Sequence, residues 1–125
     1  MTSERTLPIL VVDDDEPTRN LVQAVLRRVG YASENAANGS EAIALLERND
    51  YAAIVLDLMM PSVSGRDVVD FLAVSGRGIP VIICSAAGPA ALADFDPGIV
   101  KAVIRKPFDI EQFAAAITAV TRRPE

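Results

Sequence analysis

Polar residues follow four short apolar runs of this sequence, each at the point where the run ends. They are Asp13 with Asp14, then Asp57, Ser85 and Lys106. Carboxylate oxygens are preferred Mg²⁺ ligands, while a hydroxyl and an ammonium group can hold phosphoryl oxygens. An aspartate carboxylate can also attack phosphorus and form an aspartyl phosphate. If these five side chains lie together, they have the chemistry to bind a metal ion and receive a phosphoryl group, with Asp57 as the reactive residue.

Electrostatic repulsion limits how closely such acids can gather. Two like unit charges about 4 Å apart repel by roughly 4 kcal/mol at an effective dielectric constant near 20. Lys106 supplies one compensating charge, and a divalent cation would supply the rest. The sequence contains no histidine, and its single cysteine, Cys84, lies inside an apolar run and is expected to be a buried, inert thiol. Because the donors are then all oxygens, they favour Mg²⁺.

Five short apolar runs bounded by turn residues predict buried strands. They are Leu7–Val12, Tyr31–Ala37, Ala52–Leu56, Ile79–Cys84 and Ile99–Arg105. The second run is short and half polar, which is typical of an edge strand. Because strands and helical patterns alternate, we expect an α/β fold: a flavodoxin-like (βα)5 three-layer sandwich with a parallel five-stranded sheet of order 2-1-3-4-5. All strands of such a sheet end at one edge, where the polar residues should meet.

Helical patterns follow each predicted strand. Apolar residues that recur with helical spacing predict one buried face on the first helix and one on the last. The first face comprises Leu21, Val22, Val25, Leu26 and Val29, and the last comprises Ile110, Phe113, Ile117 and Val120. Helices are also expected after Asn38, from Gly65 to Val74, and, as a short segment interrupted by glycines and prolines, around Ala90 to Phe95.

Length and charge limit the functions open to the chain. Its 125 residues predict one domain, 1–125, with a core of about residues 7–121 and flexible termini. The net charge of −5, without a stripe of basic residues, argues against direct nucleic-acid binding. No apolar run is long enough to span a membrane, and the N-terminus has no signal-peptide core, so a cytoplasmic location is expected. Without histidine, the chain cannot act as a histidine phosphodonor.

Four segments in this order resemble the receiver (REC) domain of two-component response regulators, of the CheY-like type. The resemblance covers about Pro8 to Val120 and depends on the sequences Ile9–Asp15, Val55–Pro61 with Gly65, Ile82–Ala86 and Arg105–Phe108. It implies that Asp57 accepts a phosphoryl group from a sensor histidine kinase or histidine phosphotransfer protein. It also implies that Mg²⁺ is bound by Asp13, Asp14, Asp57 and the main-chain carbonyl of Met59.

The resemblance assigns phosphoryl binding and switching to Ser85, Ala86 and Lys106. Ser85 would bond one phosphoryl oxygen and report phosphorylation by moving its loop, and Lys106 would pair with another oxygen, set by a cis bond to Pro107. The sequence departs from the family at Val103, where receivers usually carry an aromatic ring that reports the state of the Ser85 position. The interrupted segment before the fifth strand is a second departure, so signalling through another surface stays open.

The sequence is compatible with three functions. The first is a phosphorylation switch that acts on a downstream protein target. Such a switch catalyses only its own phosphorylation and dephosphorylation. A phosphorylation-dependent homodimer stays open. The second is a pseudo-receiver that only binds proteins. The third is a haloacid dehalogenase-type phosphohydrolase, with Asp13 as nucleophile and Asp15 as the second acid. The sequence leaves open whether the domain stands alone or belongs to a longer chain.

Overall fold

The structure is a computed structural model that describes residues 7–60, 62–86 and 95–121. Within these residues, five strands form one parallel sheet: β1 (Ile9–Val12), β2 (Ser33–Ala36), β3 (Ala53–Leu56), β4 (Val81–Ser85) and β5 (Val100–Arg105). Four helices accompany them: α1 (Glu16–Val29), α2 (Gly39–Arg48), α3 (Gly65–Ser75) and α4 (Ile110–Thr121). The sheet order is β2-β1-β3-β4-β5, which confirms the predicted flavodoxin-like topology.

The central strands are buried on both faces, as a parallel sheet covered by helices requires. Alternate residues of β1 therefore belong to different cores. Leu10 and Val12 pack in a core with α2 and α3, while Ile9 and Val11 pack in a core with α1 and α4. Among the described residues, two helices thus pack on each face of the sheet.

Local signals in the sequence set the helix ends. The side chain of Asp15 caps α1 by accepting a hydrogen bond from the Thr18 backbone N–H at 3.1 Å. Gly30 ends the same helix with a φ of 101°, a conformation that glycine adopts at little cost. In α3, Ser64 and Asp67 form a reciprocal capping box. These caps fix where each helix leaves the edge of the sheet.

The structure differs from the predicted elements in small ways. Strand β4 begins at Val81, after Pro80, which has no N–H to donate to a neighbouring strand. Two residues expected on the buried faces of helices are exposed: Leu21 by 43 % and Ile110 by 39 %. Leu21 lies just beyond the buried stripe of α1, and Ile110 is the first residue of α4. The short helix expected around Ala90 lies outside the described residues, apart from Phe95, as do the ends of the chain.

Candidate functional site

The register of the sheet brings Asp13 and Asp57 side by side. Val12 and Leu56, the last residues of β1 and β3, are paired across the two parallel strands. The residue that directly follows each strand is the acid, and the Asp57 N–H donates to the Val12 carbonyl at 3.0 Å. Both carboxylates therefore leave the sheet at its carboxyl edge, where open α/β sheets bind ligands.

Three carboxylates form a cluster at this edge. One oxygen each from Asp13, Asp14 and Asp57 lies within 4.8 Å of the other two. Asp13 and Asp57 are buried, at 4 % and 7 % exposure, whereas Asp14 is exposed. A purely carboxylate donor set with one side open to solvent fits Mg²⁺, which binds through one or two carboxylates and keeps several waters. The residues present thus match the metal that the sequence favours.

Lys106, the residue that follows β5, lies beside the acids. Its Nζ lies 2.7 Å from Asp13 Oδ2 and 3.6 Å from Asp57 Oδ2. Its backbone N–H donates to the Ser85 carbonyl at 3.1 Å, and its bond to Pro107 is cis. Burial alone would lower the pKa of Lys106, but the hydrogen bond to Asp13 and the charge of Asp57 outweigh it and raise the pKa. The ammonium group therefore stays charged between the two carboxylates.

The surroundings of Asp57 favour its charged form less than those of Lys106 do. Burial raises its pKa above the ordinary value, and the charge of Asp13 adds to this effect. The Met59 N–H, which donates to Asp57 Oδ1 at 3.2 Å, acts in the opposite direction, together with Lys106 and a hydrogen bond from Ser85. The carboxylate is therefore under-compensated, and a metal cation would satisfy it.

The start of α3 packs against the residues that follow β3. The N–H of Gly65 donates to the Leu58 carbonyl at 3.2 Å, so the start of α3 lies directly against the Asp57 loop. A Cβ at residue 65 would collide with the Asp57 carbonyl and lie 2.7 Å from Leu58 Cα. Ser62 has a φ of 64°, an uncommon value for a residue other than glycine. This geometry accounts for the glycine and fixes the loop that carries Met59.

Asp15 lies beside the cluster but has a different role. Its carboxylate accepts hydrogen bonds from both the backbone N–H and the hydroxyl of Thr18, as the N-cap of α1. These hydrogen bonds lower the pKa of Asp15. The second acid that a phosphohydrolase would need two residues after Asp13 is therefore already occupied, and Asp14 takes the place in the cluster.

The other predicted residues lie nearby or at the edges. Ser85 is the last residue of β4 and is 1 % exposed, and Ala86 follows it as an exposed bend. Val103 is a 44 % exposed residue of β5, opposite Ile83. Cys84 is buried, as expected, and burial raises the pKa of its thiol to about 11.

Arg19 also lies at this edge, and no sequence motif had indicated a role for it there. The guanidinium Nη1 of Arg19 donates to the main-chain carbonyl of Asp13 at 2.6 Å. Arg19 lies in the first turn of α1, with its N–H bonded to the Asp15 carbonyl at 3.0 Å. Only its spacing of six residues from Asp13 could have suggested the contact, because a side-chain bond to a backbone carbonyl leaves no signature in residue types.

The fold and this cluster define a class: parallel α/β domains with an acidic, lysine-bearing site at the carboxyl edge of the sheet. The sequence model of the response regulator receiver domain matches residues 9–118, and the chain belongs to that family. It is 36 % identical over 117 residues to the response regulator MprA of Mycobacterium sp. strain KMS, covering 92 % of this chain and 50 % of that protein. It is 33 % identical over 119 residues to the transcriptional regulatory protein SrrA of Staphylococcus aureus, covering 94 % and 48 %. The chain thus spans about half the length of the curated relatives it matches.

Solved structures agree with this assignment. The receiver domain of the Francisella response regulator 1452 superposes with a TM-score of 0.84 at 26 % identity, covering 93 % of this chain and 97 % of that one. The response regulator TrrA from Thermotoga maritima, solved in complex with Mg²⁺-BeF, superposes with a TM-score of 0.83 at 25 % identity, covering 92 % and 99 %. The chain is therefore a receiver domain of a two-component response regulator, a regulatory domain, as its motifs predicted. Among the described residues, no helix has the length and apolar character needed to cross a membrane.

Proposed function

We propose that Asp57 is the phosphoacceptor of this domain and that it acts with Mg²⁺ bound by Asp13, Asp14, Asp57 and the Met59 main-chain carbonyl. The observation that carries the proposal is the cluster of three carboxylate oxygens within 4.8 Å, with the amine of Lys106 between two of them. When bound, Mg²⁺ would neutralise the acids and polarise the incoming phosphoryl group.

The donor is a phosphohistidine on a sensor histidine kinase or a histidine phosphotransfer protein. One Asp57 oxygen forms the new O–P bond while the bond from phosphorus to the donor's imidazole nitrogen breaks. That nitrogen keeps the electron pair and takes up a proton. The Ser85 hydroxyl and the Lys106 ammonium group hold the phosphoryl oxygens, which stabilises the charge that develops during transfer.

Phosphorylation then acts as a switch in the cytoplasm. The added charge biases the Ser85–Ala86 loop and with it a surface that binds a downstream protein. Val103 supplies no aromatic ring, so the signal passes through this loop without ring rotation. Residues 1–125 act as one receiver domain, whose only chemistry is its own phosphorylation and dephosphorylation.

The proposal is tested by incubating the chain with acetyl phosphate and Mg²⁺ and measuring its intact mass. We expect one added phosphoryl group, lost in Asp57→Asn and retained in Asp15→Asn, because asparagine still caps α1. An unchanged adduct on Asp57→Asn would contradict the proposal. Peptide mass spectrometry that placed the adduct on Asp13 would instead favour the phosphohydrolase.

A further inference from the structure

The main-chain carbonyl of Asp13 lies where the sheet ends on its β2 side. The Asp13 N–H donates to the carbonyl of Ala36, the last residue of β2, at 3.2 Å. The N–H and the C=O of one strand residue point to the same side, so the Asp13 carbonyl also faces β2. Beyond Ala36 the chain turns away, and Asn38 becomes the N-cap of α2. This carbonyl therefore needs a donor from outside the strand ladder.

Arg19 supplies that donor. Its half-buried guanidinium reaches back from α1 and donates Nη1 to the Asp13 carbonyl at 2.6 Å. A charged donor makes a stronger hydrogen bond than a neutral one, and the guanidinium plane holds it in a defined direction. The bond fixes the first helix against the end of β1 at the residue where the acidic cluster begins.

The bond also constrains Asp14. The Asp13 carbonyl and the Asp14 N–H belong to one planar peptide unit, so holding the oxygen sets the direction in which the chain enters Asp14. The Asp13 carboxylate is already held through Oδ1 by the Asp15 N–H at 2.9 Å and through Oδ2 by Lys106 at 2.7 Å. The Asp14 carboxylate is exposed, and its place in the cluster follows from its backbone.

We propose that Arg19 is a positioning residue of the metal site, which orients the Asp13–Asp14 peptide so that both carboxylates meet Mg²⁺. The inference rests on the proposed function, since it assumes that this cluster binds the ion. Residues that support metal ligands in this way typically change metal affinity about 10- to 100-fold when they are replaced.

The positive charge of Arg19 and its positioning bond predict opposite changes in Mg²⁺ affinity when Arg19 is replaced. A cationic side chain close to a cation site repels the ion, so its removal should tighten Mg²⁺ binding if charge alone mattered. Loss of the positioning bond should weaken Mg²⁺ binding in spite of the removed charge. The sign of the change therefore separates the two effects.

The experiment compares Arg19→Met with Arg28→Met, which removes an equal charge from an exposed position of the same helix. Isothermal titration with MgCl₂ gives the affinity, acetyl phosphate labelling gives the Mg²⁺ concentration for half-maximal rate, and urea unfolding in EDTA reports the metal-free fold. We expect Arg19→Met to weaken Mg²⁺ binding about 10-fold and to raise the half-saturating Mg²⁺ concentration equally, with a rate at saturating Mg²⁺ within about twofold of wild type. Arg28→Met should change neither value by more than about twofold.

Arg19→Lys keeps a charged donor and should recover part of the lost affinity, and it carries the test if Arg19→Met does not fold. Mg²⁺ affinity in Arg19→Met equal to or tighter than that of wild type would overturn the inference while leaving phosphorylation of Asp57 intact. A wild-type chain that bound no Mg²⁺ would overturn the proposed function and this inference with it.

Discussion

Four aspartates within reach of one sheet edge differ because of their surroundings. Burial raises the pKa of Asp57, whereas hydrogen bonds from Thr18 lower the pKa of Asp15. Asp13 is fully bonded on all its polar groups, and Asp14 faces solvent. The position of each acid at a strand end could be read from the sequence. The sequence could not show that Asp14 joins the cluster while Asp15 caps α1, because this depends on which carboxylate the first turn of α1 binds.

The raised pKa of Asp57 predicts how a substitution there affects stability. Between the unfolded and the folded pKa values the folded chain binds more protons, so stability falls as pH rises through that window and stays reduced above it. Asp57→Asn removes this penalty. We expect it to raise the free energy of unfolding in EDTA at pH 7 by on the order of 1 kcal/mol, measured by urea denaturation.

The gain from Asp57→Asn should shrink as the pH is lowered through the folded pKa of Asp57. Asp70→Asn, at an exposed position of α3, serves as the control and should change stability by less than about 0.5 kcal/mol. A midpoint for Asp57→Asn at or below the wild-type value at pH 7 would show that Asp57 is not under-compensated.

At the scale of elements, the parallel register does most of the positioning. Because Val12 pairs with Leu56, the residues that follow them meet without any special loop. The apolar runs therefore predicted both the strand order and the place of the site. Helix faces were predicted less well: Leu21 fits the spacing of a buried stripe but lies one position beyond the contact with the sheet. The spacing of apolar residues shows which side of a helix is buried, but the number of residues that this side buries depends on how the helix packs on the sheet.

The contact between α3 and the Asp57 loop predicts that residue 65 must be glycine. Gly65→Ala would place a methyl group against backbone atoms of Asp57 and Leu58, which cannot move like the end of a side chain. We expect a loss of about 1–3 kcal/mol in urea unfolding and slower labelling by acetyl phosphate, since the loop that bears Met59 must shift.

Gly98→Ala is the matched control for Gly65→Ala. Its added Cβ would meet only the end of the Asp96 side chain, at 3.2 Å, and the hydrogen bond that this carboxylate accepts from the Gly98 N–H is exposed, so water can replace it. We expect Gly98→Ala to change stability by less than about 1 kcal/mol and to leave labelling unchanged. A Gly65→Ala chain with wild-type stability and labelling rate would contradict this account of the loop.

At the scale of the whole molecule, two buried cores support an edge where three carboxylates lie close together. All residues of β1, β3 and β4 are buried, and Lys106 forms salt bridges with two of the three clustered acids, Asp13 and Asp57. The sequence predicted that Lys106 compensates only one of the three negative charges at this edge. The departure from the family at Val103 was also visible in the sequence.

Metal binding at that edge should stabilise the entire fold. If Mg²⁺ binds only the folded chain, a concentration 100 times its dissociation constant adds about 2.7 kcal/mol to the free energy of unfolding. Urea unfolding with MgCl₂, compared with KCl at the same ionic strength, measures the gain. Asp13→Asn should lose most of it. An equal effect of both salts on the wild-type chain would mean that the acids respond only to general screening.

The central claim is that separate strand ends form one pocket for a metal ion and a phosphoryl group on Asp57. A crystal structure of the chain with Mg²⁺ and beryllofluoride tests it most directly. We predict beryllium bonded to an Asp57 oxygen, Mg²⁺ ligated by Asp13, Asp14 and Asp57, and fluorines held by Ser85 and Lys106. Beryllofluoride bound to Asp13, or Mg²⁺ bound away from Asp57, would contradict the claim.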